Sequence, residues 1–334
     1  MTINAPRNDE KRIVQVRQTA EALVKSLEAA ERLTSHWASE LLADALVDRA
    51  LSDCLRRLSE LGCVGRENQI LSGELWRVAG SWLKVGTLQE RARTKPLGYA
   101  GDYLMLDWIV RWQCCEHPLG RFFDRYFQRQ AAPEAVRART LLAAGAIAGD
   151  FFASSSNDFH VVSVGVGPGV DLAAALEMIP PRQRQTLRFT LLDLDEAGLE
   201  FAAAQIGQHA GHDRVTVLRE NLFRLPRNRN ATERLTGADF ILCTGLFDYL
   251  DDEAAAGLLA MFWQSLSPGG RVLVGNFAPH CPTRTYMEWV GNWYLNYRTA
   301  DELKSLAKTA GIPTGHWNIR AERLGIDLFI DARK

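Results

Sequence analysis

The stretch His160-Val-Val-Ser-Val-Gly-Val-Gly-Pro-Gly-Val-Asp171, followed by Leu191-Leu-Asp-Leu-Asp195, decides how this chain is read. An apolar run leads into Gly165, Gly167 and Gly169, and a helical pattern follows from about Asp171 to Met178. A second apolar run, Phe189 to Leu192, ends in Asp193. Strand, glycine turn, helix, strand and acid in that order describe a nucleoside-binding half-site in a doubly wound α/β sheet. The glycines let backbone approach a ligand closely, and an acid at the tip of the next strand accepts hydrogen bonds from ribose hydroxyls. The bland alternative is an ordinary tight β–α turn.

The glycine spacing narrows the ligand. Dinucleotide folds use G-x-G-x-x-G, with a pyrophosphate on the helix N-terminus. Here the spacing is G-x-G-x-G, and Val170 stands where the third dinucleotide glycine would fall. No lysine follows in the P-loop position. The ligand with ribose and adenine but no phosphate is S-adenosyl-L-methionine.

Working outward, the 334 residues hold one large or two modest domains, and 47% hydrophobic content is ample for a core. The net charge of −1 and the absence of a basic stripe argue against nucleic acid partners. The polar N-terminus lacks the apolar core of a secretory signal, and no apolar stretch reaches the roughly 18 residues of a membrane span. These features predict a cytoplasmic protein without membrane insertion. Oligomeric state is not readable. The six cysteines show no C-x-x-C spacing, and Cys114–Cys115 falls in an expected helix, so reduced thiols are expected. The histidines show no H-E-x-x-H, and no metal site is expected.

Residues 9 to about 150 read as almost entirely helical. Leu23, Leu27, Leu33, Leu41, Leu42, Leu46 and Leu51 recur at helix-like intervals, and 54–62 and 70–85 continue the pattern. The exception is Arg91-Ala-Arg-Thr-Lys-Pro-Leu-Gly-Tyr-Ala-Gly-Asp-Tyr103, where Pro96, Gly98 and Gly101 disfavour helix. Asp102 is placed to cap a helix over Tyr103–Gln113, and another helix is expected from about Pro133 to Gly149. From His160 strands alternate with helices, which means a parallel sheet. Strands are expected at 160–164, 187–192, 214–218, 239–243 and 270–276, with Ser267-Pro-Gly-Gly270 as a turn before the fifth. A last pair is expected near 316–321 and 326–332. The domains are therefore 1–150 and 157–334, with the boundary near the polar run Ala153 to Asp158.

Ligands in such sheets bind at the carboxyl ends of the strands. The first end gives Gly165, Gly167 and Gly169, and the second gives Asp193. The third gives Asn221, suited to the adenine edge, with Leu222 and Phe223 to cover the ring. The fourth gives Gly245, where backbone can come close to the sulfonium arm.

The strings VVSVGVGPG, LLDLD, ENLF, ILCTGLFDYL and LSPGGRVLVGN resemble class I S-adenosylmethionine-dependent methyltransferases over residues 157–334. The resemblance implies a Rossmann-like doubly wound sheet, S-adenosyl-L-methionine as cofactor, and methyl transfer. Ser163 departs from it, because many members carry an acid two residues before the first glycine. The strings RTKPLGYAGDY (93–103), AVRAR (135–139) and WYLNYRT (293–299) resemble the bacterial family typified by the 3-hydroxy-fatty-acid methyl ester synthase of quorum signalling. That resemblance implies a helical N-terminal domain serving as lid or substrate domain, and a role in secondary metabolism.

Methyl transfer from a sulfonium is an in-line displacement, in which position and desolvation outweigh strong acids and bases. Tyr99 and Asp102 are candidates in a lid loop, against the alternative of a connector whose Asp102 only caps a helix. Asp248 is a candidate base or amine anchor, and Arg298 a candidate partner for an acceptor carboxylate. Arg137 and Arg139 lie about 200° apart on one helix, and Arg139 is a candidate for the methionine carboxylate. Among Phe247, Tyr249, Tyr286, Trp289, Trp293, Tyr294 and Tyr297, some are expected to wall the pocket. No Asn/Asp-Pro-Pro-Tyr follows the fourth strand, which speaks against nucleobase or glutamine-amide methylation. Three readings stay open: methyl transfer to a small molecule, such as a carboxylate giving an ester; cyclisation of the cofactor by an amine with release of methylthioadenosine; and a nucleoside-binding regulator without turnover.

Overall fold

A computed structural model describes residues 5–34, 39–222, 225 and 232–334. The chain divides into two compact units, one of Met1–Glu134 with Pro282–Tyr294, the other of Ala135–Cys281 with Leu295–Lys334.

The first unit is helical. It contains α1 (Ala5–Leu33), α2 (Glu40–Ser59), α3 (Gln69–Leu83), α4 (Thr87–Thr94), α5 (Tyr103–Val110) and α6 (Gly120–Gln128). Leu23, Leu27 and Leu51 face its core as the leucine spacing predicts, but Leu41 and Leu42 are exposed. Pairing α1 with α2 needs only one stripe of each helix, and Leu41 and Leu42 fall outside the stripe defined by Ala43, Val47 and Leu51. The helix expected over Tyr103–Gln113 stops at Val110, and Trp112 takes a left-handed φ of 56°. Cys114 and Cys115 therefore lie in a non-helical connection, both as free thiols.

The second unit is a seven-stranded sheet in the order β3-β2-β1-β4-β5-β7-β6. The strands are β1 (Phe159–Val164), β2 (Leu187–Asp193), β3 (Val215–Arg219), β4 (Ala238–Cys243), β5 (Leu266–Phe277), β6 (Trp317–Ala321) and β7 (Asp327–Arg333). The first five are mutually parallel, and β7 lies antiparallel between β5 and β6. All six residues of β1 are buried, as expected for a central parallel strand covered on both faces. Ser267-Pro-Gly-Gly270 does not precede β5 but lies inside it: pairing with β4 jumps from Ala238↔Leu266 to Phe240↔Arg271, so the expected turn is a bulge.

The helices α7 (Ala131–Ala153), α8 (Val170–Met178), α9 (Glu196–Ala210), α10 (Asp252–Ser265) and α12 (Ala300–Thr309) complete the doubly wound arrangement. The short α11 (Arg284–Trp289) falls in the segment that joins the helical unit. The two compact units divide differently from the expected 1–150 and 157–334 in two places. From Ala135 onward α7 belongs to the sheet unit, because Ala143, Ala144, Ile147, Ala148 and Phe151 pack in one cluster with Phe159, Val161 and Leu187. Residues 282–294 go the other way. Tyr286 stacks on Phe127 at 5.1 Å and donates to Gln89, while Ser72 donates to the carbonyl of the wholly buried Trp289. Four of the proposed pocket aromatics, Tyr286, Trp289, Trp293 and Tyr294, are therefore parts of the helical unit. Among the described residues no helix is long and apolar enough to cross a membrane.

Candidate active site

β1 ends in a turn that only glycine adopts without strain. Gly165, Gly167 and Gly169 have φ values of 66°, 51° and 69°, all left-handed, where a side chain costs roughly 1–2 kcal/mol per residue. Gly165 N–H and Val166 N–H both donate to the carbonyl of Leu192, which ties the turn to the end of β2. Gly169 caps α8, and a Cβ there would stand 3.0 Å from the Ala202 Cβ. The third glycine thus lets α8 start close against α9.

Asp193 closes the half-site. Its Oδ2 accepts from Gly167 N–H at 3.0 Å, and its Oδ1 accepts from Leu194 and Asp195 N–H at 2.8 and 3.1 Å. Burial pushes its carboxyl above the usual range, against the pull of those donors. A carboxylate offers about four lone-pair positions. Oδ2, with one backbone donor, is the oxygen with capacity left for a ribose hydroxyl. Beside the turn, a Cβ on Gly165 would lie 3.6 Å from Leu246 and 3.7 Å from Leu222. Two apolar side chains therefore flank bare backbone and a half-buried acid, an arrangement that fits a nucleoside. Asn221 follows the end of β3 and is partly buried; Phe223 lies outside the described residues.

Past β4 the chemistry changes from sparse to dense. Asp248 sits in a short 3-10 turn, and its Oδ1 accepts from Phe277 N–H and Asn276 Nδ2 at 2.8 and 2.9 Å. Burial first, and then the neighbouring Asp327, push its carboxyl up to about 8. Arg298 donates to the carbonyls of Phe247 and Leu250, to Asn276 Oδ1, and from Nε to Asp252. Its guanidinium grips the 247–250 turn, and Asp248 pins the end of β5 to it. The anchor role expected of Asp248 and the acceptor-carboxylate role expected of Arg298 both meet side chains already engaged in holding this turn.

Arg139 stands nearby on α7 and is buried. Nη1 donates to Asp327 Oδ2 at 3.0 Å, and the guanidinium lies 5.9 Å from the Phe277 ring centroid. Nη2 is 3.5 Å from where a Cβ on Gly245 would be, so the glycine leaves the guanidinium edge uncovered. Asn276 and Asp327 were not among the expected site residues. Their signal was weak: each stands at the end of a largely apolar strand, and the sheet pairing that brings Phe277 opposite Asp327 cannot be read from either strand alone.

Tyr99 and Asp102 belong to the helical unit. Asp102 caps α5, accepting from Met105 N–H at 3.0 Å and from Arg91 Nε at 2.7 Å on the same oxygen. Arg91 in turn lies over the Trp108 ring. The expected cap is present. The other oxygen, Oδ2, is buried with no hydrogen-bond partner among the described residues.

Residues 162–272 match the family model described as a methyltransferase domain. Over most of its length the chain is similar to a Bordetella parapertussis crystal structure described as a possible exported protein. The identity is 18% and the TM-score 0.57, covering 94% of this chain and 97% of that one. It is also similar to mitomycin 7-O-methyltransferase MmcR, at 17% identity and TM-score 0.48, covering 99% and 98% of the two chains. A third similar structure is magnesium protoporphyrin IX methyltransferase of Synechocystis PCC 6803 with bound SAH. There the identity is 12% and the TM-score 0.46, with 69% and 98% covered. No curated protein matches.

Domain match, strand order and glycine turn together define the class: an S-adenosyl-L-methionine-dependent methyltransferase of class I.

Proposed function

We propose that this protein methylates a small-molecule acceptor, and that the acceptor group is a carboxylate, giving a methyl ester. The reading rests most on the RTKPLGYAGDY string, which resembles the fatty-acid methyl ester synthase family. When bound, the cofactor supplies an electrophilic methyl on a sulfonium. Gly165, Gly167, Gly169 and Asp193 hold its nucleoside, with Asn221, Leu222 and Gly245 around it. A carboxylate is ionised at pH 7 and needs no general base. That suits a site whose Asp248 already accepts from Phe277 and Asn276. Desolvation and alignment then supply most of the rate. Tyr99 and Asp102 are proposed to act from the loop of the helical unit, as a lid does when it excludes water.

Mass spectrometry of products decides the reading, after incubation with the cofactor alone and then with 3-hydroxy fatty acids. A methyl ester together with S-adenosylhomocysteine is expected. Methylthioadenosine formed without any acceptor would replace methyl transfer by cyclisation while leaving the binding site intact.

A further inference from the structure

Within the helical unit the cations fall into two groups. Arg91, Arg111, Arg125 and Arg129 each pair with a carboxylate at 2.7 to 2.9 Å. Arg66, Arg93 and Lys95 have no ion pair among the described residues. Arg93, half-buried near the end of α4, lies 5.1 Å from the Trp76 ring centroid, and its Nη1 donates to the neutral Ser72 Oγ at 2.6 Å. Ser72 donates onward to the Trp289 carbonyl, and Trp76 Nε1 donates to the Val290 carbonyl. The guanidinium is thus held in place without being neutralised. Lys95 follows with a left-handed φ of 51° that ends α4.

The electrostatics agree with this geometry. Burial pushes the Arg93 guanidinium below its usual range, and burial together with Arg93 and Arg66 pushes the Lys95 ammonium down. No carboxylate among the described residues acts against either shift. Arg93 and Arg66 also act on Tyr294, so the three charges share one patch. Glu288 acts on Tyr294 too, but its oxygens are taken: Oε1 by Arg284 Nε, and Oε2 by Gly65 N–H and Asn68 Nδ2. Like charges gathered with no acid among them repel, and an anion between them removes that cost.

We infer that Arg66, Arg93 and Lys95 form a binding site for the dianion of a phosphate monoester carried by a small molecule. The planar fork of Arg93, backed by Trp76, suits two oxygens of one anion, while Lys95 adds a point charge. A phosphate monoester carries about −1.5 to −2 at pH 7 and a carboxylate only one charge, so three uncompensated cations favour the phosphate. The site lies within the helical unit and does not rest on the cofactor reading of the glycine turn.

The experiment is phosphorus NMR of methyl phosphate titrated with the full chain, without cofactor and at fixed ionic strength. Saturable broadening of the methyl phosphate signal is expected, with acetate about tenfold or more weaker as a competitor. Arg93→Gln and Lys95→Gln should each weaken methyl phosphate about tenfold or more, the size of one charged hydrogen bond. Arg93→Lys keeps the charge but loses the fork and should fall between. Arg66→Gln should cost less, because Arg66 is exposed. Arg57→Gln removes an exposed charge from α2 and should change nothing. Lys95→Gln breaks no hydrogen bond or ion pair among the described residues and relieves repulsion, so the test does not hinge on the folding of the Arg93 variants. Unchanged affinity in the Lys95 and Arg93 variants overturns the proposal, as does an equal loss in Arg57→Gln. Acetate competing as well as methyl phosphate overturns it by making the ligand a carboxylate, and inorganic phosphate binding where the ester does not makes it a site for the free ion. No saturable broadening with the wild-type protein overturns it outright, whatever the variants do.

Discussion

The two halves of the candidate site, at the carboxyl ends of the strands, are built differently. At β1 and β2 the site consists of absent side chains, backbone N–H groups and one carboxylate. At β4, β5 and β7 it consists of charges and amides held by one another. The reach of the contacts differs accordingly: Gly167 and Asp193 are 26 residues apart in sequence, whereas Arg139 and Asp327 are 188 apart. Local architecture of the first kind tolerates the loss of a side chain with the fold intact. The second kind does not separate binding from stability.

The sharpest way to break this contrast is Arg298→Ala. The change leaves two backbone carbonyls and Asn276 Oδ1 without their donor in a buried turn. Leaving buried acceptors without their donor costs about 1–3 kcal/mol. Urea unfolding should show a loss of that size, and cofactor binding should fall with it. Full stability together with lost ester formation would instead make Arg298 the acceptor residue that the sequence suggests.

Asp193→Ala should behave in the opposite way. Its partners are three backbone N–H groups at the open end of a turn. We expect about 2–3 kcal/mol less cofactor binding, as for a charged hydrogen bond, with a far smaller change in unfolding. Unchanged calorimetric affinity would remove Asp193 from the site.

This contrast also explains what was legible beforehand. The strands, their order of chemistry and the glycine turn follow from contiguous patterns, and β1, β2 and β4 lie within a residue or so of their expected limits. The Asp102 cap was legible for the same reason, because its donor is three residues away. The domain boundary was not, because the polar run at 153–158 marks the end of a helix that already packs on the sheet. Nor were the partners of Arg298, whose carbonyl acceptors lie 48 and 51 residues away and leave no trace in composition.

A smaller effect separates the two ends by pH. Asp248 is raised to about 8 and Asp327 to about 6, chiefly by burial, from an ordinary 3.8. A raised carboxyl holds its proton in the folded state after the unfolded chain has released it. Its contribution is complete below about pH 4 and declines as pH rises, through 6 for Asp327 and 8 for Asp248. The slope approaches about 1.4 kcal/mol per pH unit for one full proton. Asp248→Asn mimics the neutral form, so its melting temperature should fall less than that of the wild type between pH 6 and 8. Parallel curves would show that Asp248 is ionised throughout.

The smallest expected effect decides whether the loop of the helical unit is more than a connector. Asp102 Oδ1 alone caps α5 and pairs with Arg91, while Oδ2 has no partner among the described residues. Asp102→Ala removes the cap and should cost about 1 kcal/mol of stability. Arg91 is 18% exposed and can turn toward water, so the lost ion pair adds little. Asp102→Asn keeps an oxygen in the capping position and should be closer to wild type in unfolding. If Asp102 only caps, both variants retain turnover once they are folded. If it serves the lid, turnover drops in both, because Asn cannot restore a charge at Oδ2. The comparison therefore turns on the Asn variant: lost activity at near-normal stability places Asp102 in the reaction, and normal activity returns the loop to a connector.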